Sequence, residues 1–342
     1  MKGLRALLFS LMLAFFIVSC KGEKERLFKR SEVMMDTFVN ITVVSDSKQR
    51  AEEAMEEAFR ELKRLEWLLN FFSEESEVSK INSNSGERPV ATTKETFELL
   101  TKAVEVSELS QGAFDITLGV INRLYDFVKR LQPSDEQLKR LLPLVGYKNI
   151  ELYPRNRIVF LKKKGMMIDP GGITKGYAAD RAIQVLRSRG IKAALVAVAG
   201  DIRGYGLKPD GKPWVVGIRD PRAESSDEIF ATMELKDLAV STSGDYERYF
   251  IDKGKRIHHI LDPKTGRPAR GVISVTVIGP EAVYTDSFAT AVFVKGPEEG
   301  MKIVEKRGYM ALVVDSEGNI KMSSALKGRI KLLKEHIEVK EG

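Results

Sequence analysis

Residues 168–180 constrain the fold more than any other segment of this chain. They read Ile-Asp-Pro-Gly-Gly-Ile-Thr-Lys-Gly-Tyr-Ala-Ala-Asp, and they follow an apolar run. The run predicts a strand that ends at Asp169, a turn at the glycine pair, and a helix that opens on Thr174 and Lys175. Glycines let a ligand approach the backbone closely, and both the start of a helix and a lysine attract anions. The segment is therefore suited to binding phosphate. It matches neither a P-loop nor a dinucleotide fingerprint, so an ordinary strand-turn-helix without a ligand stays open.

The N-terminus has the pattern of an exported lipoprotein. Lys2 and Arg5 precede an apolar run at 6–18, which ends in Ile-Val-Ser-Cys at 17–20. The run is short for a bilayer span and fits the core of a signal peptide, and its last four residues resemble a bacterial lipobox. We therefore expect a signal peptide at 1–19, with a lipidated Cys20 and a charged tether over 20–30. The protein would then be membrane-anchored and face the periplasm or the cell exterior; an uncleaved anchor helix is the alternative.

Composition indicates one folded body after this segment. The chain has 342 residues, 43% hydrophobic and 30% charged, and no linker divides it, so residues 31–335 are expected to form a single folded body. Cys20, which precedes this body, is the only cysteine of the chain. The body therefore has no disulfide, no thiolate metal site and no cysteine nucleophile. The net charge of +7 comes from interleaved charges without a basic-aromatic patch, so a nucleic-acid partner is not expected.

The periodicity of apolar residues predicts a mixture of strands and helices. Because no regular strand-helix-strand repeat is present, the pattern favours an α+β fold. A hairpin is expected within 150–168, an inserted helical region at 124–147 with a helix start at 133–134, and a polar turn at 241–250. The predicted strands cover 33–44, 193–199, 214–218, 229–235, 272–278 and 311–314, and the predicted helices cover 49–69, 93–110, 174–189 and 286–294.

Asp286 and Thr290 form a candidate metal site. They are four residues apart, so a helix places them on one face. A carboxylate and a hydroxyl are hard oxygen ligands of the kind that Mg²⁺ prefers when phosphates fill its other positions. The alternative from spacing alone is an acidic residue at a helix N-terminus, which the helix dipole favours.

The adjacent histidines His258 and His259 are candidates for acid-base chemistry. Neighbouring residues of an extended segment point to opposite sides, so the pair cannot easily share one metal. His259 is the better candidate for a general base, although a structural histidine beside a turn is equally compatible with the sequence. A triad of Ser243 with His259 is disfavoured because no nucleophile elbow is present.

Nine segments, taken together and in order, resemble the ApbE family of FAD:protein FMN transferases. The resemblance covers roughly residues 34–314 and implies an α+β fold with mixed sheets and flanking helices. A lipobox is also common in that family. The segments are Met-Asp-Thr at 35–37, Ser-Glu-Val-Ser-Lys-Ile-Asn at 76–82, Gly-Ala-Phe-Asp at 112–115, residues 168–180, Ala-Gly-Asp-Ile at 199–202, Trp-Val-Val-Gly-Ile-Arg-Asp-Pro at 214–221, and residues 241–247, 258–266 and 286–294.

The resemblance implies an activity. Family members move the FMN half of FAD onto a threonine or serine hydroxyl of a target flavoprotein, with Mg²⁺, so that a phosphoester forms and AMP leaves. The targets include subunits of membrane redox pumps and extracytoplasmic flavin reductases. Two alternatives stay open: an Mg²⁺-dependent FAD pyrophosphatase that yields FMN and AMP, and a non-catalytic FAD-binding lipoprotein.

The resemblance also implies roles for individual residues. Lys175 and Mg²⁺ would neutralise the pyrophosphate, Asp286 would act in catalysis by holding that Mg²⁺, and His259 would assist deprotonation of the acceptor hydroxyl. The side chains that would flank the isoalloxazine ring are Met35 and Phe72. The remaining FAD contacts would be Ala113, Phe114, Asp115, Asp169, Lys175 and Leu261, and the metal ligands Asp286, Thr290 and the carbonyls of Gly172 and Ala289.

This chain departs from the family pattern at four places. Asp36 stands where glycine is usual, Phe72 where tyrosine is common, Pro170 where leucine is usual, and Ala199 where a second glycine is usual. None of these changes removes an expected metal ligand. They bear on flavin affinity more than on the type of reaction.

Overall fold

The computed structural model describes residues 24–225 and 227–339 and has the expected α+β fold. The predicted signal peptide and Cys20 lie outside the described residues. Within the described ranges, no helix is long and apolar enough to cross a bilayer. The eight α-helices of these ranges are α1 (Lys48–Leu69), α2 (Glu77–Ser83), α3 (Lys94–Leu109), α4 (Gly119–Asn122), α5 (Asp135–Leu141), α6 (Gly171–Ser188), α7 (Ala282–Lys295) and α8 (Pro297–Glu305).

An eight-stranded antiparallel sheet forms the centre of the molecule. The strands of the described chain are β1 (Arg26–Met34), β2 (Thr37–Ser45), β3 (Val90–Ala91), β4 (Ile150–Tyr153), β5 (Ile158–Leu161), β6 (Ala193–Val198), β7 (Asp201–Tyr205), β8 (Trp214–Arg219), β9 (Ile229–Leu235), β10 (Ala239–Gly244), β11 (Tyr249–Asp252), β12 (Lys255–His258), β13 (Val272–Gly279), β14 (Met310–Asp315), β15 (Ile320–Met322) and β16 (Ile330–Leu332). The large sheet has the order β1-β2-β6-β7-β10-β13-β14-β15. Smaller sheets have the orders β16-β9-β8, β3-β5-β4 and β11-β12.

The large sheet separates two apolar cores. One face packs against α1, α6 and α7, and the other packs against the sheet β16-β9-β8. Strand β2 shows how the sequence produces this arrangement, because Val39, Ile41 and Val43 alternate toward the helices while Val44 belongs to the second core. Strand β13 is buried along its whole length, since both of its faces are covered. The fold therefore has three layers, with the segments 168–180 and 286–294 on the helical side.

The predicted strand at 33–44 is wrong, because the chain turns back at Met35 and Asp36. Both residues have left-handed backbone angles, with φ of 52° and 54°, and they join β1 to β2 as a two-residue hairpin. The alternation of apolar residues continues on both sides of the turn, and no glycine marks it. Strand β1 begins at Arg26, so the folded body starts inside the segment assigned to the tether.

Other boundaries also differ from those predicted. The polar segment at 241–250 begins within strand β10, whose hydroxyl groups pair with neighbours: Thr242 Oγ1 lies 2.9 Å from Thr276 Oγ1. Residues 166–168 form only a bridge to Leu118 rather than a strand. Helix α5 starts as predicted, with a capping box at Ser134, but residues 126–131 of the same region form a turn.

Candidate active site

The helices α6 and α7 approach each other closely at Gly176. A Cβ atom at this position would lie 2.1 Å from the Ala282 carbonyl oxygen and 2.8 Å from Asp286 Cβ, so only glycine fits. The Gly176 N–H donates a hydrogen bond of 2.9 Å to Asp286 Oδ2. The close approach thus places the Asp286 carboxylate against the first turns of α6. Helix α7 begins at Ala282, one turn before the predicted start, which puts Asp286 inside the helix.

Gly172 interrupts the start of α6. Its dihedral angles are not helical (φ −87°, ψ 16°), and the Gly176 N–H, which a regular helix directs to this carbonyl, donates to Asp286. A Cβ on Gly172 would lie 3.5 Å from Thr290 Oγ1 and 3.3 Å from Phe114 Cε2. The structure therefore brings Gly172, Asp286 and Thr290 together at one junction. Ala289 is fully buried on the same helix.

Asp201 is a second buried carboxylate at this junction, and no role was predicted for it. It follows the tight turn at Ala199, whose φ is 54°, and it opens strand β7. Burial raises the pKa of Asp201, whereas the nearby charge of Lys175 and a hydrogen bond from Ser241 lower it. The sequence signal was the Ala-Gly-Asp segment itself, but nothing in the sequence shows which side chains the turn would face.

The electrostatics of this junction fit a divalent cation. Burial raises the pKa of Asp286 well above its ordinary value, and the negative charge of Asp201 raises it further; the Gly176 hydrogen bond and Lys175 act in the opposite direction. Two buried carboxylates beside a single lysine leave negative charge that a cation would compensate. The described residues contain no cluster of three or more acidic, histidine or cysteine side chains suited to a metal. A metal here would therefore take mixed oxygen ligands: carboxylate, hydroxyl and backbone carbonyl.

A network of hydroxyl groups connects the sheet to α7. Ser241 Oγ on β10 lies 2.8 Å from Thr285 Oγ1, and Ser243 Oγ lies 3.4 Å from Thr290 Oγ1. Strand β10 therefore contacts the face of α7 that carries the candidate metal ligands. This explains why its polar residues lie in a strand: their hydroxyl groups find partners across the layer.

The residues expected near the flavin ring lie in different environments. Met35 is at the tip of the β1-β2 hairpin, where its N–H donates a 2.7 Å hydrogen bond to Glu66 Oε1. Phe72 follows α1, is 77% exposed, and meets Phe71 edge-on at 5.1 Å between ring centroids. Phe114 is buried beside Gly172, and Ala113 is also buried. The exposed ring of Phe72 is therefore available to stack on a planar ligand, whereas Phe114 also packs in the core.

Asp115 and Asp169 hold the loops of the site. Both carboxylate oxygens of Asp115 accept hydrogen bonds within the protein, from the Thr117 N–H and hydroxyl and from the Tyr147 N–H. Burial raises the pKa of Asp115. Asp169 accepts from the Gly171 N–H and from Asn122 Nδ2, both at 2.9 Å. Asp169 therefore shapes the glycine turn, and Asp115 fixes the loops at Thr117 and Tyr147.

The two histidines point to opposite sides, as predicted from their extended segment. His258 is buried against Phe293, and its Nε2 lies 3.0 Å from the Ala269 carbonyl oxygen, so it is structural. His259 is half-buried, and its Nδ1 lies 3.4 Å from the Arg248 carbonyl oxygen. A carbonyl only accepts, so Nδ1 carries the proton and Nε2 keeps its lone pair. His259 thus has the form that a general base needs.

Lys175 is close enough to influence all the titrating groups of the site. It lies in the first turns of α6 and is half-buried. Its positive charge lowers the pKa of Asp201, Asp286 and His259. Leu261 is buried just after the histidine pair. The predicted lysine, histidine and metal ligands are therefore gathered around the start of α6.

Gly176→Ala tests the close approach of the two helices. The added methyl group would push α7 away from α6, so we expect the free energy of unfolding to fall by about 1–3 kcal/mol. Any activity that depends on Asp286 should fall as well. Chemical denaturation and a catalytic assay check the two effects separately. Unchanged stability together with unchanged activity would contradict this account.

His259 is expected to remain neutral throughout the physiological range. Burial, and next the positive charge of Arg248, lower its pKa to about 3. Its ring resonances, assigned with a His259→Gln variant, should therefore not move between about pH 5 and pH 8 in an NMR titration. A titration with a midpoint near the ordinary histidine value would show that the ring is not desolvated.

Comparison with known proteins identifies the family of this chain. The model of the ApbE family matches residues 35–313. The FAD:protein FMN transferase of Treponema pallidum is 32% identical over 336 residues, which span 92% of each chain. The crystal structure of the ApbE protein from Thermotoga maritima has 38% identity and a TM-score of 0.82, over 89% of this chain and 99% of that one. The crystal structure of the flavinyl transferase ApbE of Pseudomonas stutzeri in its apo form has 28% identity and a TM-score of 0.78. The match covers 89% of this chain and 97% of that one. The matches extend from the β1-β2 hairpin through β14, and the chain belongs to the ApbE family.

Proposed function

We propose that this protein transfers FMN from FAD to a threonine or serine hydroxyl of an extracytoplasmic target flavoprotein. The reaction depends on Mg²⁺, forms a phosphoester bond between FMN and the target, and releases AMP. The names of the relatives support the FAD:protein FMN transferase activity. A flavoprotein subunit of a membrane redox pump is the kind of acceptor that we propose.

The junction of α6 and α7 is the observation that carries this proposal. The Asp286 carboxylate and the Thr290 hydroxyl meet there beside the irregular first turn of α6 at Gly172, next to Lys175. This is an arrangement for a cation that is shared with phosphate oxygens. Binding a flavin does not require two buried carboxylates, Asp201 and Asp286, near Lys175, whereas binding a metal together with phosphates does use such groups.

Each residue has a defined role in the proposed reaction. Asp286 and Thr290, with the carbonyls of Gly172 and Ala289, would hold Mg²⁺. Bound Mg²⁺ would neutralise the pyrophosphate and stabilise the charge that develops on the departing AMP. Lys175 binds the same phosphates from the opposite side of the junction.

The nucleophile comes from the acceptor and is prepared by His259. Its Nε2 lone pair accepts the proton of the acceptor hydroxyl as the oxygen attacks the phosphorus of the FMN half. Met35 and Phe72 orient the flavin ring, and Ala113, Phe114, Asp169 and Leu261 line the path between ring and phosphates. The half-buried position of His259 keeps it accessible to a protein substrate.

The transfer reaction is tested with the purified full chain in detergent, FAD, Mg²⁺ and a recombinant flavin-acceptor domain of a redox-pump subunit. We expect a fluorescent acceptor band on a denaturing gel and AMP in solution, and both should disappear on chelation. AMP and free FMN without a labelled acceptor would favour the pyrophosphatase. Bound FAD without either product would make the chain a binding protein.

Asp286→Asn tests the metal assignment. The asparagine side chain has the shape of the aspartate and still offers an oxygen to the Gly176 N–H, but it lacks the negative charge. We therefore expect the rate of FMN transfer to fall on the order of 100-fold or more. Mg²⁺ binding, measured by calorimetry with FAD and without acceptor, should weaken in parallel. Asp315→Asn is the control, because Asp315 is also a buried carboxylate but lies at the end of β14. Equal Mg²⁺ affinity in wild type and Asp286→Asn would remove Asp286 from the site.

We also propose that Cys20 carries a lipid and holds the protein at a membrane, facing the periplasm or the cell exterior. The support is the sequence pattern of residues 1–20, which lie outside the described ranges. A Cys20→Ser variant should lose metabolic labelling with a fatty acid and leave the membrane fraction. Retention of both properties would contradict the anchor.

A further inference from the structure

A turn beside His259 presents an apolar side chain to solvent. Val128 is 93% exposed, more than any other large apolar side chain in the part of the chain that the structure describes, and Leu131 in the same turn is 54% exposed. Single exposed apolar residues are common on protein surfaces, so the surroundings of Val128 decide its meaning. The turn of residues 126–131, here called the Val128 turn, is held in place.

Hydrogen bonds fix the Val128 turn from within. Asp126 and Leu131 exchange two backbone hydrogen bonds of 3.1 and 2.8 Å. Asp126 Oδ1 accepts from the N–H groups of Val128 and Lys129 at 3.1 and 2.8 Å, and Arg130 has a left-handed φ of 56°. Val128 is therefore held outward by its backbone, so little conformational entropy would be lost when a partner covers it.

The turn is joined to the wall of the active site. The Phe127 ring lies 6.0 Å from Tyr125, 6.1 Å from Phe250 and 6.5 Å from His259, measured between ring centroids. Gln132 Nε2 donates a 2.8 Å hydrogen bond to Asp252 Oδ2 at the end of β11. The Val128 turn and the β11-β12 hairpin thus form one rim next to the proposed base.

This rim is strongly basic. Residues 126–132 and 248–259 contain six lysines and arginines against two acids. Both acids make contacts within the protein: Asp126 accepts from backbone N–H groups and lies 3.6 Å from Lys129 Nζ, and Asp252 accepts from Gln132. Lys129, Arg130, Lys253 and Lys255 are exposed. The outward charge of the rim is therefore positive, and it surrounds an apolar side chain.

We propose that the Val128 turn and the β11-β12 hairpin form the docking surface for the acceptor protein, which meets Val128 with an apolar recess and the basic rim with acidic residues. This inference rests on the proposed function: an acceptor hydroxyl that reaches His259 brings its flanking surface onto this rim. The outward-facing valine supplies apolar area that a partner would bury, and the surrounding cations supply orientation and faster association. The acceptor is thus recognised as a folded surface as well as by its hydroxyl.

The test compares a folded acceptor with a minimal one. The full chain is assayed with a recombinant flavin-acceptor domain of a redox-pump subunit and with a short peptide containing the same threonine. For Val128→Asp, and for the double variant Lys129→Glu/Arg130→Glu, we expect kcat/KM for the domain to fall about tenfold or more. Transfer to the peptide, FAD affinity and AMP release without acceptor should stay within about twofold of wild type, because none of these residues contacts FAD in the proposed site.

A matched control separates docking from a general effect of surface charge. Val215 on β8 is 59% exposed in the small sheet, so Val215→Asp makes the same change on another surface and should leave domain transfer unchanged. Raised ionic strength should increase KM for the domain in wild type, and less so in the charge-reversed variant.

The outcomes distinguish the two levels of the proposal. If the variants of the Val128 turn transfer FMN to the acceptor domain as efficiently as wild type does, the docking surface is overturned. The proposed transferase activity would then still stand. The same holds if peptide and domain transfer fall equally, since the defect would then lie in the catalytic site. A wild type that binds FAD but labels neither acceptor would refute the transfer reaction, and the docking surface with it.

Discussion

The close approach of α6 to α7 at Gly176 is the constraint on which the site depends. A single hydrogen-bonded contact, Gly176 N–H to Asp286 Oδ2, turns a carboxylate toward the irregular first turn of α6, where Gly172 has non-helical dihedral angles. One glycine therefore fixes the position of the Asp286 carboxylate. The burial of α6 and α7 against the large sheet supplies the free energy that keeps a charged group at this depth.

The sheet completes the site from the opposite side. Strands β7 and β10 are neighbours and contribute Asp201 and Ser241, whose contacts reach α7 and Lys175. The resulting group of charges is balanced within the protein only in part, which explains why burial disfavours ionised Asp286. In the proposed reaction the substrate's metal and phosphates complete this balance, so the site is poised for its ligand rather than for its own stability.

The sequence predicted those parts of the site that depend on local spacing. Asp286 and Thr290 are four residues apart, and the structure places both in helix α7. The two histidines are adjacent, and the structure gives their rings different partners. Both rules are geometric, and the roles of these residues in the site stay predictions. The hairpin at Met35 was missed because Asp36 adopts a left-handed conformation without being glycine. Asp201 was missed because its importance arises from distant elements, and no local pattern encodes which carboxylates share one cavity.

The most direct measurement is a crystal structure with FAD and Mn²⁺ in place of Mg²⁺, with the metal located by its anomalous scattering. The account predicts a metal position in contact with Asp286 Oδ, Thr290 Oγ1 and the Gly172 carbonyl, next to the pyrophosphate. A metal bound away from Asp286, or a pyrophosphate that does not reach the start of α6, would contradict the claim that the junction of the two helices is the catalytic centre.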